Sequence, residues 1–225
     1  MTLIATSITA NNNRDCLKQA KDLEETAEIL ELRADYLKTL NKQFLAKFKK
    51  TVAKPVILTI RDKKEGGINN YSLEEKLRLI KTAQDLNYDL IDLEYRNYIR
   101  LNTEQKRIID KTKLILSWHN FSKTNSFNYL INLATKMKKE KPKIIKIAVM
   151  TNNNNDVNSV LKLQININYP KIIIGMGEKG KLTRVSAFFT NCYLTFSSNN
   201  FNSSAPGQIN IDTMIKIKQL LSDII

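Results

Sequence analysis

Ile144-Ile-Lys-Ile-Ala-Val149 is a short apolar run that carries one lysine in its interior. A run of this length, rich in Ile, favours a β-strand that is buried on both faces. Residues 127–139 before it and 156–167 after it place apolar side chains at helical spacing. The sequence therefore predicts helix, strand and helix in succession, which is the local pattern of a parallel sheet.

The same alternation extends along the chain in both directions. Further apolar runs of strand length lie at residues 3–8, 29–34, 55–60, 90–95, 113–118, 171–175 and 193–197. Ser72-Leu-Glu-Glu75 is a capping box that predicts the start of a helix. Helical spacing also occurs at residues 15–28, 103–111 and 211–225, and another helix ends within 51–54, before Pro55.

Strand and helix units of this kind suit either a closed barrel or an open doubly wound sheet. An open dinucleotide-binding sheet carries a GxGxxG turn after its first strand, and this sequence lacks one there. Charged or polar residues instead follow nearly every predicted strand, as in barrel enzymes. We predict an α/β protein with a single (β/α)8 TIM barrel, forming one catalytic domain over residues 1–225.

The charge of the chain indicates what it binds. The formal net charge is +14, from 36 Lys and Arg against 22 Asp and Glu. A basic surface can bind nucleic acid or an anionic membrane, but the lysines here are spread along the whole chain. This distribution favours a solvated surface that attracts a small anionic substrate, with no nucleic-acid partner.

The sequence gives no indication of a membrane or secreted protein. No apolar stretch reaches the ~18 residues of a membrane span, and the apolar start of the chain is too short to cross a membrane and lacks a basic leader. Cys16 and Cys192 are far apart and have no metal-ligand spacing. The expectation is a cytoplasmic protein with no membrane association.

Lys146 is the most informative residue in the sequence. A lysine inside a strand buried on both faces is rare, because burial of an ammonium group is costly. Desolvation favours the neutral amine, which can attack a carbonyl carbon and form an imine. The alternative is a lysine that reaches solvent or is paired inside the barrel.

His119 is the only histidine of the chain and follows the fifth predicted strand. A histidine at a strand end can act as a general acid and base, and Glu65, in the loop after the third strand, can fix its tautomer. The alternative is a structural histidine with satisfied hydrogen bonds. One histidine cannot build a multi-histidine metal site, so no metal is expected.

Arg33, Arg61 and Arg184 also follow predicted strands. Converging arginines bind carboxylates through two parallel hydrogen bonds. For Arg33 and Arg61 the alternative is pairing with barrel carboxylates such as Glu31 and Glu94, and both interpretations stay open. Arg184 lies in a glycine-rich loop, which favours contact with a ligand.

Seven segments carry these residues in a fixed order. They are Glu31-Leu-Arg-Ala-Asp35, Leu58-Thr-Ile-Arg-Asp-Lys-Lys-Glu-Gly-Gly67, Leu90-Ile-Asp-Leu-Glu94, Ser117-Trp-His-Asn-Phe121, Lys146-Ile-Ala-Val-Met150, Met176-Gly-Glu-Lys-Gly-Lys-Leu-Thr-Arg184 and Ser204-Ala-Pro-Gly-Gln208. Together they resemble the type I 3-dehydroquinate dehydratases of the shikimate pathway. The resemblance covers nearly the whole chain.

The resemblance implies a role for each matching residue. Lys146 is the expected Schiff-base lysine, His119 the general acid and base, Glu65 its carboxylate partner and Arg184 the anchor of the substrate carboxylate. The remaining substrate contacts that it implies are Ser7, Glu31, Arg33, Arg61, Met176, Phe196, Ser204 and Gln208. It also implies 3-dehydroquinate as the substrate, a homodimer, and no metal or organic cofactor.

Two alternatives remain open at this point. One is another Schiff-base barrel, such as a class I aldolase that cleaves a carbon–carbon bond. The other is a basic nucleic-acid-binding protein. The three arginines and the segment at residues 204–208 favour the dehydratase, and the sequence lacks clustered arginines interleaved with aromatic residues.

Overall fold

The apolar runs form one curled parallel sheet in the computed structural model, which describes residues 2–199 and 204–222. Its strands are β1 (Leu3–Ile8), β2 (Ile29–Arg33), β3 (Val56–Thr59), β4 (Leu90–Glu94), β5 (Leu114–Asn120), β6 (Ile144–Met150), β7 (Lys171–Met176), β8 (Leu194–Ser198) and β9 (Ile209–Asn210). Hydrogen-bonded neighbours follow the order β7-β6-β5-β4-β3-β2-β1-β8-β9. The sheet curls because consecutive strands lie side by side and twist in one sense.

The curl brings β7, at one end of this strand order, close to β8, near the other end. β1 pairs in parallel with both β2 and β8. Between β7 and the start of β8, the Tyr193 amide donates a hydrogen bond to the Lys171 carbonyl at 2.7 Å. The fold is the predicted (β/α)8 barrel.

Helices follow most strands and cover the outside of the sheet. They are α1 (Asn13–Asp22), α2 (Lys42–Thr51), α3 (Leu73–Asp85), α4 (Tyr95–Tyr98), α5 (Thr103–Ile108), α6 (Phe127–Lys139), α7 (Asn154–Asn166), α8 (Lys181–Val185) and α9 (Ile211–Ser222). The predicted capping box of α3 is confirmed, since the side chains of Ser72 and Glu75 accept from each other's backbone amides. Within the described residues, no helix has the length and apolar character that a bilayer span requires.

The eight predicted strands are confirmed, with ends that differ by at most two residues. The prediction of a helix over 15–28 is wrong at its end, because α1 stops at Asp22 and residues 23–28 turn back to begin β2. The helix predicted at 103–111 stops at Ile108, since the Asp110 carboxylate accepts from the Thr112 amide and forms a turn. Residues 223–225 of the predicted last helix lie outside the described residues.

The barrel interior is built in layers. At the amino ends of the strands, a buried apolar layer is formed by Ala5, Ile29, Ile57, Leu90, Ile115, Ile144, Ile172 and Leu194. Strand side chains alternate, so the inward-facing position recurs two residues later. At those next positions the side chains are Ser7, Glu31, Thr59, Asp92, Ser117, Lys146, Ile174 and Phe196, and all are buried. Six of these eight positions carry polar or charged side chains, whereas all eight positions two residues earlier are apolar.

The loop after β3 is packed tightly enough that a methyl group does not fit. A Cβ added to Gly67 would lie 2.0 Å from the carbonyl oxygen of Arg61, and backbone atoms cannot yield as a side chain can. We expect Gly67→Ala to lower the free energy of unfolding by ~1–3 kcal/mol, the usual cost of overpacking. Urea denaturation measures this, with Lys63→Ala in the same loop as an exposed control. Equal unfolding midpoints for the two variants would contradict the packing described.

Candidate active site

A cavity of about 440 Å³ opens at the carboxyl ends of the barrel strands. Its lining contains Glu31, Arg33, Arg61, Glu65, Gly66, His119, Phe121, Lys146, Ala148, Ile174, Met176, Arg184, Phe196, Ser204, Ala205 and Gln208. All the predicted site residues except Ser7 belong to this lining. The Ser7 hydroxyl donates to Glu31 at 2.5 Å and accepts from Ser204 at 3.0 Å. The short Ser7 side chain therefore lies behind the wall that those two residues form.

Lys146 projects from the middle of β6 and is only 5% exposed. Its Nζ lies 3.0 Å from Asp92 Oδ2, 4.0 Å from Glu31 Oε1 and 4.2 Å from the centre of the Phe196 ring. Lys146 is therefore buried, as predicted. Its amine is also paired with carboxylates, as the alternative interpretation of this residue expected. The carboxylates hold the nitrogen at a defined point on the cavity wall.

Asp92 is the residue that connects Lys146 to the arginines. Its carboxylate accepts from Lys146, from Arg61 at 2.7 Å and from the Ser117 hydroxyl at 2.6 Å. Burial acts to raise the pKa of Asp92, but Arg61 and Lys146 outweigh it and hold that pKa well below its usual range. No role was predicted for Asp92, although it belongs to one of the matching segments.

His119, at the end of β5, is fixed by Glu65. The Glu65 Oε2 atom lies 2.9 Å from His119 Nδ1 and also accepts the His119 backbone amide at 3.0 Å. An oxygen that already accepts an amide proton favours a proton on Nδ1, so Nε2 is left free for proton transfer. The pairing predicted between these two residues is present.

The environment of this pair changes both of its pKa values. Burial raises the pKa of Glu65 to about 8, although the charge of Arg61 opposes the shift. Burial, together with Arg61 and Lys146, lowers the pKa of His119 well below its ordinary value. The form in which Glu65 is ionised and the imidazole is neutral therefore gains population as the pH rises towards 8.

Arg33 and Arg61 line the cavity and are also neutralised by carboxylates. Arg33 makes two parallel hydrogen bonds to Asp35, both at 2.8 Å. Arg61 contacts Asp92 at 2.7 Å and Glu94 at 3.3 Å. The salt bridges that one interpretation expected are therefore present, and both arginines also line the cavity, while their contact with a ligand stays a prediction.

Arg184 differs from the other two arginines. Its guanidinium donates to the carbonyls of Gly207 at 2.9 Å, Phe196 at 3.3 Å and Pro206 at 3.4 Å. Within residues 2–199 and 204–222, no carboxylate forms a salt bridge with it. Burial lowers its pKa to about 10, so Arg184 is still a cation at neutral pH. A buried cation with neutral partners favours binding of an anion.

The loop at residues 204–208 forms another side of the cavity. Ser204 is held by Gln208, because the Gln208 amide nitrogen donates to the Ser204 hydroxyl at 3.0 Å. Gly207 has φ +73°, and a Cβ there would lie 2.0 Å from the carbonyl oxygen of Gly177. Only glycine therefore permits this close contact between the 204–208 loop and the loop after β7.

Apolar side chains complete the cavity. Met176 of β7 and Phe196 of β8, both predicted for the lining, are buried and line the cavity. Phe121 was not predicted, although it belongs to a matching segment. Its ring lies over Gly66 and stacks near His119, with ring centres 6.3 Å apart. It partly covers the cavity from the solvent side.

A parallel barrel with an interior lysine, a carboxylate–histidine pair and a buried arginine at its carboxyl end defines the class of imine-forming barrel enzymes. Comparison with known proteins identifies the group within that class. The sequence model described as type I 3-dehydroquinase matches residues 4–224. The chain belongs to the type I 3-dehydroquinase family.

Individual relatives agree with this assignment. A 3-dehydroquinate dehydratase of Methanocaldococcus jannaschii is 39% identical, with 97% of this chain and 99% of the relative covered. The solved 3-dehydroquinate dehydratase of Geobacillus kaustophilus superposes with a TM-score of 0.91 at 25% identity, covering 99% and 92% of the two chains. The type I enzyme of Clostridium difficile, solved with covalently modified comenic acid, gives 0.87 at 26% identity, covering 100% and 93%.

Replacement of Glu65 by Gln is expected to change how the free energy of unfolding depends on pH. Folding raises the Glu65 pKa from 4.5 to about 8, so the stability that the proton confers is complete below pH 4.5 and is lost as the pH rises to about 8. His119, with a pKa below its ordinary 6.5, opposes this only below pH 6.5.

Between pH 6.5 and 8 the wild-type stability should therefore fall, by up to ~1.4 kcal/mol per pH unit, and Glu65→Gln should remove most of that slope. Urea titrations at several pH values measure it. Glu74→Gln, an exposed glutamate on α3, is the control and should keep the slope. An unchanged slope in Glu65→Gln would show that the Glu65 proton is not linked to folding.

Proposed function

We propose that this chain is a hydro-lyase that converts 3-dehydroquinate into 3-dehydroshikimate and water through an imine on Lys146. The observation that carries the proposal is that an amine, an acid–base pair and an unneutralised arginine line one cavity. These are the three functions that dehydration of a carboxylated hydroxyketone requires. The family assignment supports the same reaction.

The first step is condensation of Lys146 with the C3 ketone, which releases water and leaves a cationic iminium. The iminium makes the adjacent C2 proton more acidic, because the electrons of the C–H bond can move to the positive nitrogen. His119 Nε2 takes that proton, and its charge is stabilised by the Glu65 carboxylate 2.9 Å from Nδ1. The product of this step is a neutral enamine.

The second half of the reaction returns the proton. The enamine expels the C1 hydroxyl, and the imidazolium of His119 protonates it so that it leaves as water. Hydrolysis of the conjugated iminium then releases the product and restores Lys146. No step of this sequence calls for a metal or an organic cofactor.

Arg184 is the proposed partner of the substrate carboxylate. Around the cavity, the buried cations are Arg33, Arg61, Lys76, Lys146 and Arg184, and the buried carboxylates outside the Glu65–His119 pair are Glu31, Asp35, Asp92 and Glu94. Among the described residues, these five cations exceed these four carboxylates by one positive charge outside that pair. A substrate with a single carboxylate neutralises this excess, which supports an anionic substrate.

The remaining site residues are proposed to bind and enclose the ring. Glu31, Arg33, Arg61, Ser204 and Gln208 supply hydrogen-bonding groups for its hydroxyls. Ser7 acts through Glu31 and Ser204, which it contacts directly. The side chains of Met176 and Phe196 pack against the apolar face of the ring.

We further propose that the chain acts as one catalytic domain, in a homodimer, in the cytoplasm and without a nucleic-acid partner. The exposed side chains of Ile165 and Phe189 line one surface groove and supply apolar area for a subunit contact. Cys16 and Cys192 are both free thiols, which suits a reducing compartment.

Lys146→Ala is expected to abolish turnover of 3-dehydroquinate, because Lys146 is the only lysine among the described residues that line the cavity. In the wild type, borohydride added with substrate should reduce the imine and leave a modified peptide that contains Lys146. Lys143→Ala, an exposed lysine on the approach to β6, is the matched control and should remain active. Product formation by Lys146→Ala would exclude the imine mechanism.

Arg184→Gln is expected to raise KM for 3-dehydroquinate roughly 10- to 100-fold, the effect of losing one charged hydrogen-bonding partner. Steady-state kinetics measure it, and circular dichroism verifies that the variant is folded. Arg107→Gln, an exposed arginine on α5, removes the same charge and should leave KM unchanged. If both variants keep the wild-type KM, Arg184 does not bind the carboxylate.

A further inference from the structure

A second cavity lies on the outer side of the loop that carries Glu65. It measures about 500 Å³, and Glu65 lines it as well as the catalytic cavity. The Glu65 carboxyl group therefore forms part of the wall between the two. Arg96 from α4 and Arg100 also line this outer cavity.

The two oxygens of Glu65 have different surroundings. Oε2 accepts both the backbone amide and Nδ1 of His119. Oε1 is buried and has no hydrogen-bond partner among the described residues. The Arg96 Nε atom lies 3.4 Å from Oε1, and the Arg96 side chain is 55% exposed against 1% for Glu65. Arg96 thus reaches a buried oxygen from a position that solvent contacts.

We propose that Arg96 is a positioning residue of the catalytic pair: from the outer cavity it favours the carboxylate form of Glu65, turned toward His119. The proton of the imidazole then stays on Nδ1, and Nε2 remains available to the substrate. This inference rests on the proposed function, because it assigns Arg96 to the same acid–base step.

The other charges near Glu65 do not replace Arg96. Arg61 acts on Glu65 but is itself committed to Asp92 and Glu94, and Glu94 repels the Glu65 charge. The remaining charged groups that line either cavity around Glu65 are Glu31, Arg33, Asp62, Lys64, Arg100, Lys146 and Arg184. Glu65 is the only carboxylate in ionic contact with Arg96 within the described part of the chain. The positive charge of Arg96 is therefore available to Glu65 alone.

The direction of the effect follows from the sign of the charge. Burial raises the pKa of Glu65, and Arg96 opposes that shift. Without Arg96, Glu65 keeps its proton to a higher pH. A protonated Glu65 can donate to Nδ1 and force the imidazole proton onto Nε2, which is the wrong tautomer for a base. Loss of Arg96 should therefore be harmful at low pH and harmless at high pH.

The test compares the pH dependence of kcat/KM for wild type, Arg96→Gln, Arg96→Lys and Arg100→Gln with 3-dehydroquinate as substrate. Arg96→Gln should move the acid limb upward by about half a pH unit, so that kcat/KM below the limb falls about threefold and recovers above it. Arg96→Lys keeps the charge and should restore most of the wild-type profile. Arg100→Gln removes a charge from the same cavity and should leave the limb in place.

Ionic strength supplies an independent readout, because the Arg96 side chain is open to solvent. Added salt should move the wild-type limb upward, and the limb of Arg96→Gln should respond less. The inference is overturned if Arg96→Gln keeps the wild-type limb, if its kcat/KM falls equally at every pH, or if Arg100→Gln shifts the limb as far. A wild-type protein that is inactive toward 3-dehydroquinate would instead overturn the proposed function.

Discussion

The burial of charged side chains inside the barrel is the constraint on which the rest of this structure depends. A buried ion is costly unless another charge compensates it, and here each carboxylate of β4 compensates two cations. Asp92 contacts Lys146 and Arg61, while Glu94 contacts Arg61 and the buried Lys76 of α3. Because each cation depends on a carboxylate that another cation shares, none can move without loss to its neighbour. The geometry of the cavity wall is fixed by this mutual dependence, which a single isolated salt bridge would not provide.

The same constraint explains why Arg184 is built differently. Its partners are backbone carbonyls of β8 and of the 204–208 loop, which orient the guanidinium without neutralising it. An acidic partner would have made this side of the cavity electrically complete, as Asp35 does for Arg33. The unneutralised arginine thus leaves a positive charge in the cavity wall that is available to an anion. In the proposed function, this asymmetry in charge compensation selects a carboxylated substrate.

The sequence predicted the barrel and the identity of the side chains in the cavity better than it predicted their partners. Strand positions were recoverable because apolar runs of strand length report burial on both faces, and Lys146 stood out because a cation in such a run is rare. The contact between Lys146 and Asp92 was not recoverable, since it depends on how β4, β5 and β6 are staggered around the barrel. Whether Ser7 reaches the cavity surface was not recoverable for a related reason: strand position specifies an inward direction but not whether a neighbour covers a short side chain. The catalytic roles themselves stay predictions of the sequence and of the family resemblance.

The paired lysine is compatible with imine chemistry because the positive charge never has to leave the cavity. Condensation of a protonated amine with a ketone gives an iminium and water, so the cation beside Asp92 is kept. In the proposed mechanism, removal of the C2 proton neutralises the iminium but creates an imidazolium at His119, next to Glu65. Expulsion of the hydroxyl reverses that transfer. One positive charge thus alternates between two positions, each of which already has a carboxylate within 3.0 Å. A preorganised site of this kind needs little reorganisation during the reaction, which is the main source of electrostatic catalysis.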